Sequence, residues 1–168
     1  NGGKPMQMTV REMLEAFLAF REEVIARRSK YDLAKARDRA HILVGLATAV
    51  ANIDEIIKII RGSANPKDAR KNLLARTWPA KDMGALIKLI ADPRSKLLED
   101  GSIQLTEEQA KAILELRLLR LTALGMDEIT AEAEKLAAAI TDLLEILRSR
   151  DRVSDIIRAE LIEVKEKF

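Results

Sequence analysis

The sequence has no cysteine, one histidine and few of the residues that shape turns. Without cysteine, the 168 residues exclude disulfides, zinc fingers and iron–sulfur clusters within one copy. Because His41 is the single histidine, we expect no Ser-His-Asp, Cys-His or multi-histidine site and no bound metal. Seven glycines and four prolines are few for a β-rich fold with many tight turns. These absences predict long helices and no catalytic residue in this chain.

An excess of charge of one sign and long hydrophobic runs are also missing. The 29 Lys/Arg and 27 Asp/Glu residues give a net charge of +2, too small to indicate a nucleic-acid or membrane partner. No run approaches the length of a transmembrane helix, and no signal peptide is recognisable. We therefore expect a cytoplasmic protein without a membrane partner. Because the chain opens at Asn1 and not at methionine, we also expect it to be a piece of a larger protein.

The first feature that is present is a long helical segment. Between Thr9 and about Val50 there is no proline and one glycine, and Thr9 with Glu12 forms a capping box at the start. Large apolar residues recur at heptad spacing and predict a coiled-coil seam. The predicted seam contains Met13, Phe17, Phe20, Val24, Tyr31 and Ala34.

The C-terminal segment has a second heptad pattern, interrupted at Ser149. Residues 1–40 carry nine Lys/Arg and six Asp/Glu (+3), whereas residues 126–168 carry seven and eleven (−4). Opposite charges on two seams predict that the segments pack antiparallel against each other. A parallel coil between copies is the alternative. The predicted second seam contains Ile129, Ala133, Leu136, Ile140, Leu143 and Leu147, then Val153, Ile157, Leu161, Val164 and Phe168.

The segments between the two seams predict shorter helices. Ile42 to Ile60 is apolar nearly all round, with Asn52 as a helix N-cap inside it. Asn65 starts a third helix, Asp100-Gly101 forms a turn within a small hairpin, and Thr106 with Gln109 forms another capping box. The predicted fold is all-α, a long antiparallel coiled-coil stalk with a small helical head at its tip. Its parts are a leading loop (1–8), an ascending stalk helix (9–41), a helical head (42–125) and returning stalk helices (126–168).

Four stretches, in the same order, resemble the A subunit of DNA gyrase, a bacterial type II topoisomerase. They are REEVIARR (21–28), the segment 33–61, LTEEQAKAILELRLLRLTAL (105–124) and IRAELIEVKEKF (157–168). The resemblance implies a tower whose tips meet in a homodimer and form the gate through which a transported DNA duplex leaves. It implies the gyrase B subunit as a further partner, with ATP and Mg²⁺ held elsewhere and no cofactor here. The A subunit of topoisomerase IV and an unrelated coiled-coil oligomerisation scaffold are the alternatives.

Apolar residues at two places are candidates for the dimer contact. One place is the apolar segment that begins at Leu46, and the other is the helix that follows Thr106, from which an arginine emerges among leucines. The alternative is that both serve a core within one chain. The candidate interface residues are Leu46, Val50, Ile53, Ala110, Ile113, Leu114 and Arg117.

A basic stretch in the first segment is the candidate DNA-facing surface. It contains two aspartates as offsets, a single aromatic residue and no groove-reading motif, so no sequence-specific binding is expected. The alternatives are a solvated helix face paired with acidic residues across the seam and a weak nonspecific DNA-binding module. The candidate DNA-facing residues are Arg27, Arg28, Lys30, Lys35, Arg37 and Arg39.

Tyr31 and His41 invite functional interpretations, but we expect both residues to be structural. Type II topoisomerases cut DNA with a tyrosine beside an arginine, and Tyr31 follows Arg27 and Arg28 by one turn. The family motif around the nucleophile is absent, so we expect Tyr31 to be structural and the chain to be unable to cleave DNA. We expect His41 to be a hydrogen-bonded buried residue, with a pH-responsive contact as the alternative.

Overall fold

The computed structural model describes residues 6–80, 84–90, 92–95, 97–116 and 125–168, and it is mostly helical. Two short strands, β1 (Thr77–Pro79) and β2 (Ser102–Gln104), pair antiparallel with Trp78 opposite Ile103. The predicted helical character is confirmed, and the all-α assignment is corrected by this small sheet. The helices are α1 (Val10–Ala51), α2 (Ile53–Gly62), α3 (Pro66–Leu74), α4 (Gly84–Ile90), α5 (Glu107–Glu115), α6 (Met126–Arg148) and α7 (Arg150–Lys167).

Local signals set most of the helix starts. The Thr9 N–H donates to Glu12 Oε2 at 2.6 Å, and Thr9 Oγ1 accepts from the Glu12 N–H, which confirms the predicted capping box of α1. The capping box of Thr106 and Gln109 on α5 is present too. Ser149 follows the end of α6 and accepts from the Arg152 N–H at the start of α7, as its position in the seam predicted.

Asn52 marks the predicted break between α1 and α2, but its side chain does not cap α2. Instead its Nδ2 donates to the Thr48 carbonyl at 3.0 Å and to the Pro79 carbonyl at 3.1 Å. The prediction of a capping role was wrong because a buried amide in this position also reaches an acceptor on β1. The helix break is therefore the place where the small sheet is attached to α1.

The turn before β2 depends on two neighbouring residues. Gly101 has φ +74°, a conformation that side chains with a Cβ rarely adopt. Asp100 Oδ1 accepts from the Ser102 N–H and hydroxyl at 2.9 and 2.6 Å, and these bonds lower the pKa of the Asp100 carboxyl. The predicted turn is confirmed, and it leads into the strand that pairs with β1.

The chain divides into two compact units. We call the part formed by residues up to Ala34 and from Thr141 onward the terminal unit, and residues 35–140 the central unit. Helices α1 and α6 each contribute residues to both units.

In the terminal unit, α1 packs against α7 and the end of α6. Leu18 shares a groove with Leu161, whereas Ala26, two turns later, shares one with Ile146. Because the contacts run in opposite directions along the two segments, the packing within this unit is antiparallel. The buried apolar cluster of this unit is small and consists of Ile25, Ile146, Val153 and Ile157.

The predicted seam on α1 is wrong in register. Met13, Phe17, Phe20 and Tyr31 are between 43% and 60% exposed, whereas Ile25 is fully buried. A shift of one residue turns a helix face by about 100°. The apolar pattern of α1 is compatible with more than one stripe, and the largest side chains indicated the stripe that faces solvent. On the returning side Ile129, Ala133, Val153 and Ile157 are buried as predicted, but Leu161, Val164 and Phe168 are exposed.

The central unit has a larger core, to which every helix with residues in this unit and both strands contribute. Trp78 is buried within it, and its Nε1 donates to the Leu73 carbonyl at 3.1 Å. This bond satisfies the polar atom of the one tryptophan. Further buried members are Leu43, Val44, Leu46, Ala47, Ile56, Ile103, Ala110, Ile113, Ile129 and Ala133.

Candidate functional site

Burial separates the candidate interface residues into two groups. Leu46, Ala110 and Ile113 belong to the core of the central unit and are covered within one chain. Val50 and Ile53 lie beside that core and are half-buried. Leu114 on α5 is also half-buried and packs against that core. Arg117 lies outside the described residues. Within one copy, the half-buried residues are therefore the described candidates whose apolar surface a partner could still cover.

Helices α1 and α5, which carry all of the described candidates except Ile53, approach each other closely at Gly45. A Cβ placed on Gly45 would lie 2.6 Å from the Cβ and Cγ of Gln109, which is closer than atoms in contact can be. Glycine at this position of α1 therefore allows α5 to pack against it. The contact places Ala110 and Ile113 in the core and leaves Leu114 at its edge.

Gln109 joins α1, α5 and the loop of residues 92–95. It is fully buried, and its Nε2 donates to the His41 carbonyl at 2.8 Å and to Ser95 Oγ at 3.1 Å. Its Oε1 accepts from the Thr106 N–H at 3.0 Å as part of the capping box. Both polar atoms of this amide are used, so the side chain is held in one orientation.

His41 lies beside Gln109 and is 1% exposed. Its Nε2 lies 2.7 Å from Thr106 Oγ1, and its Nδ1 lies 3.1 Å from Ser95 Oγ and 2.7 Å from Asp92 Oδ2. Despite this short distance, Oδ2 makes no hydrogen bond of suitable geometry with a described residue. The imidazole itself has polar partners at both nitrogens, as expected for a histidine within a core.

The other carboxylate oxygen of Asp92, Oδ1, binds Arg94. Oδ1 accepts from the Arg94 N–H at 3.1 Å and from its Nε at 3.2 Å, while the same guanidinium donates to Asp38 Oδ1 at 2.9 Å and to the Arg37 carbonyl. Burial raises the pKa of the Asp92 carboxyl, but the bonds from Arg94 and the neighbouring charges outweigh it, so the pKa is lowered. Arg94 thus fixes the loop to α1.

Asp92, His41 and Thr106 form a carboxylate–imidazole–hydroxyl series. The expectation drawn from the single histidine was therefore wrong in its reasoning, because one imidazole can contact both other groups. The ring is closed to solvent, and the Thr106 hydroxyl accepts the Gln109 N–H as the cap of α5. The hydroxyl is thus used in a cap, and the three side chains hold α1, the loop of residues 92–95 and α5 together.

The candidate DNA-facing residues lie at the surface, but at least three of them have a carboxylate partner. Arg27 pairs with Glu23, Arg28 with Glu160 at 3.0 Å, and Arg39 with Glu132 through two bonds of 2.6 and 2.9 Å. The structure thus supports paired helix faces for Arg28 and Arg39, whose partners lie on α7 and α6. The other three candidates, none of them buried, are Lys30, Lys35 and Arg37.

Glu160 is the acidic centre of the pairs in the terminal unit. It accepts from Arg28 and from Arg21, both on α1. Burial raises the pKa of the Glu160 carboxyl, yet the hydrogen bonds from Arg28 and Arg21 outweigh it and the pKa is lowered. A further pair, Arg150 with Glu22 at 3.1 Å, joins α7 to α1 with the charges reversed.

Tyr31 is 60% exposed on α1 and does not lie in a buried seam. Among the described residues, no group of three His, Asp or Glu side chains is placed to hold a metal ion. In the same part of the chain, no helix has an apolar stretch long enough to cross a membrane.

Sequence reasoning missed the partners of several polar residues. The capping box identified Gln109 by its spacing, but not its bonds to His41 and Ser95, which are distant in sequence. Asp92 lies in a loop, where helical periodicity gives no information about its partners. Glu160 carried no signal beyond the negative charge of its segment, which did point to partners on α1.

The family model for the DNA gyrase/topoisomerase IV A subunit matches residues 1–162. The DNA gyrase A subunit of Rickettsia felis is 51% identical over 99% of this chain, and that of Granulibacter bethesdensis is 50% identical over 100%. The Haemophilus influenzae protein of the same name is 45% identical over 99%. The chain spans 18–19% of the length of these relatives. By the extent of these matches, the chain belongs to the DNA gyrase/topoisomerase IV A-subunit family.

Proposed function

We propose that this chain is the dimerisation tower and DNA exit gate of a DNA gyrase A subunit. The observation that carries the proposal is the match of 99–100% of the chain to proteins of that name at 45–51% identity. In this proposal residues 9–41 and 126–168 form the stalk, and residues 42–125 form the head that meets a second copy. The complete enzyme acts in the cytoplasm, where it passes one DNA duplex through another with the gyrase B subunit as partner. ATP and Mg²⁺ are held outside this segment.

The composition of the central unit supports a mechanical role. Two of its buried polar residues, His41 and Gln109, bind other groups of the same unit and are closed to solvent. Val50, Ile53 and Leu114 are apolar, half-buried and attached to a packed core, which suits the apolar centre of a contact that opens and closes. No chemistry is required of such a surface.

The test is the association state of substituted chains. We expect Val50→Glu and Leu114→Glu to give monomers in sedimentation velocity at tens of micromolar, because a charge at an apolar interface centre cannot be paired. Far-UV circular dichroism should remain that of the parent chain, since both positions are half-buried. A parent chain that stays monomeric at this concentration would contradict the proposal.

Two controls separate an interface from a core. Leu161→Glu places the same charge at an exposed leucine of the terminal unit and should leave association unchanged. Ile113→Glu places it in the buried core and should reduce helicity. If Leu161→Glu disrupted association as strongly as Leu114→Glu, the dimer contact would lie in the terminal unit.

Two other functions can be compared with this one. The family includes topoisomerase IV, but the relatives cited above are all named as gyrase proteins. A simple oligomerisation scaffold would share the association result and fail a complementation test. Replacing the matching segment of a gyrase A subunit by this chain should preserve DNA supercoiling by the reassembled enzyme if it is a gate.

A further inference from the structure

Positive charge is concentrated in one segment of the central unit. Residues 58–76 contain six Lys/Arg and one Asp, a net charge of +5 in a chain whose total is +2. The one acidic residue, Asp68, accepts from Asn65 Nδ2 at 2.7 Å at the start of α3. It is therefore engaged with the helix cap and not with a neighbouring cation.

These cations are available, unlike at least five of the eight basic residues on α1, which form ion pairs. Of the six, only Arg76 has a carboxylate partner among the described residues, Glu55 at 3.9 Å. The other five form no ion pair with a described residue, and none is buried. We call these five residues the α2–α3 basic surface: Lys58, Arg61, Lys67, Arg70 and Lys71.

Helix geometry places the five cations in two sets, one on each helix. Lys58 and Arg61 are three residues apart on α2, and Lys67 is three and four residues from Arg70 and Lys71 on α3, so each set shares a helix face. Helices α2 and α3 pack against each other.

A groove extends this surface towards α5. Lys67 and Arg70 line a groove of about 410 Å³ together with Lys111 and with Leu114, the residue at which this surface borders the proposed dimer contact. Glu115 lies in the same groove, where its carboxylate is 3.7 Å from Lys111. The carboxylate of Glu115 is thus offset by Lys111, and the cations of α3 keep their excess of positive charge.

The residues between the cations indicate the class of partner. No exposed large hydrophobic side chain falls within residues 58–76, all of which the structure describes. The exposed neighbours are small or polar, among them Ala64, Asn65 and Asn72. A protein partner would need an apolar centre, whereas a phosphate backbone needs cations and hydrogen-bond donors.

We propose that the α2–α3 basic surface binds the phosphate backbone of duplex DNA without sequence preference. The choice of duplex DNA among polyanions rests on the proposed function, while the surface itself rests on charge and exposure. The aromatic residue that follows the segment, Trp78, is buried, so base stacking is not available here. Binding is therefore electrostatic and weakens steeply with salt.

The test is fluorescence anisotropy of a labelled random-sequence duplex with the 168-residue chain and its variants. Binding strength is compared as the slope of the logarithm of the binding constant against the logarithm of the salt concentration. Lys67→Gln/Arg70→Gln/Lys71→Gln should make this slope shallower by about 2.7. Between 50 and 200 mM salt, the parent chain should therefore lose about 40-fold more affinity than the variant. A matched triple variant, Lys135→Gln/Lys165→Gln/Lys167→Gln, removes three exposed cations elsewhere and should leave the slope nearly unchanged. The triple variant Arg27→Gln/Lys30→Gln/Arg37→Gln tests the competing surface on α1.

Three results of these measurements would contradict the proposed DNA binding or its place on the α2–α3 basic surface. An equal loss in the matched or the α1 variant, or no binding by the parent chain at 50 mM salt, would overturn it. Tighter binding of poly-glutamate than of the duplex would assign the surface to an acidic protein and overturn the choice of DNA. Sedimentation of the Lys67/Arg70/Lys71 variant separates the two proposals, because a dimer that has lost DNA binding leaves the gate intact.

Discussion

The terminal and central units are stabilised in different ways, although the same two long helices, α1 and α6, contribute to both. The terminal unit has a buried cluster of four large apolar side chains and exposes many others, and its helices are joined by the ion pairs of Glu160 and Glu22. The central unit has a larger buried core and satisfies polar residues such as Gln109 by hydrogen bonds. Apolar content therefore does not set the stability of a region, because only the part that is buried contributes.

The first way to test this comparison is to remove the same atoms from each core. Ile56 on α2 and Ile157 on α7 are both buried helical isoleucines. We expect Ile56→Ala to cost about 3–4 kcal/mol, because the large core around it cannot close the cavity. Ile157→Ala should cost about 2 kcal/mol, because Ile157 lies in a small cluster close to solvent and the truncation removes fewer packing contacts.

Hydrogen exchange resolved by peptide measures both changes in the same molecule, and the fluorescence of Trp78 reports on the central unit in urea unfolding. Each substitution should lower protection mainly in its own unit. Equal costs, or a larger loss for Ile157→Ala, would mean that the terminal unit is as well packed as the central one.

The second test concerns the close approach of α1 and α5 in the central unit. Gly45→Ala should destabilise by about 1–2 kcal/mol, because the new Cβ meets Gln109 and the cost of overpacking exceeds the helix propensity gained. Gly62→Ala is the matched control, since no atom lies within 4 Å of the added Cβ. It should be neutral or stabilising by up to about 1 kcal/mol in thermal unfolding. A stable Gly45→Ala variant would show that Gln109 moves easily.

Residues with local signals were predicted correctly, whereas several residues that depend on distant partners were not. Thr9, Thr106 and Ser149 define helix ends through neighbours within three residues, so their roles follow from spacing. The α1 seam required knowledge of which stripe α7 covers, and the burial of Ile25 depends on residues more than a hundred positions away. Asn52 shows the same limit, because its acceptor on Pro79 belongs to a strand that helical periodicity does not predict.

The candidate site residues show the same difference between what local sequence predicts and what only the fold decides. Apolar patterning found the segments that contain Leu46 and Ile113, but an apolar residue of a core and one of an interface look alike in sequence. Only the fold separates them, by leaving Val50 and Leu114 half-buried. Charge counting also selected the more basic helix without showing that Arg28 and Arg39 are paired.

The smallest expected effect concerns pH and the ion pairs of the terminal unit. The pKa of Glu160 is lowered in the folded chain, so its contribution is present above the unfolded value and is lost as pH falls through the folded value. Glu160→Gln should therefore cost up to about 1 kcal/mol at neutral pH, and the difference from the parent should vanish well below about pH 4. Urea unfolding followed by circular dichroism at neutral and acidic pH measures this difference.

The control for Glu160 is a glutamate of the same helix. Glu163 forms no ion pair with a described residue, whereas Glu160 contacts Arg21 and Arg28, so Glu163→Gln should leave the free energy of unfolding unchanged at both pH values. A difference for Glu160→Gln that persists unchanged in acid would mean that Glu160 acts through packing. The ion pairs would then not distinguish the terminal unit from the central one, because burial alone would account for the stability of both.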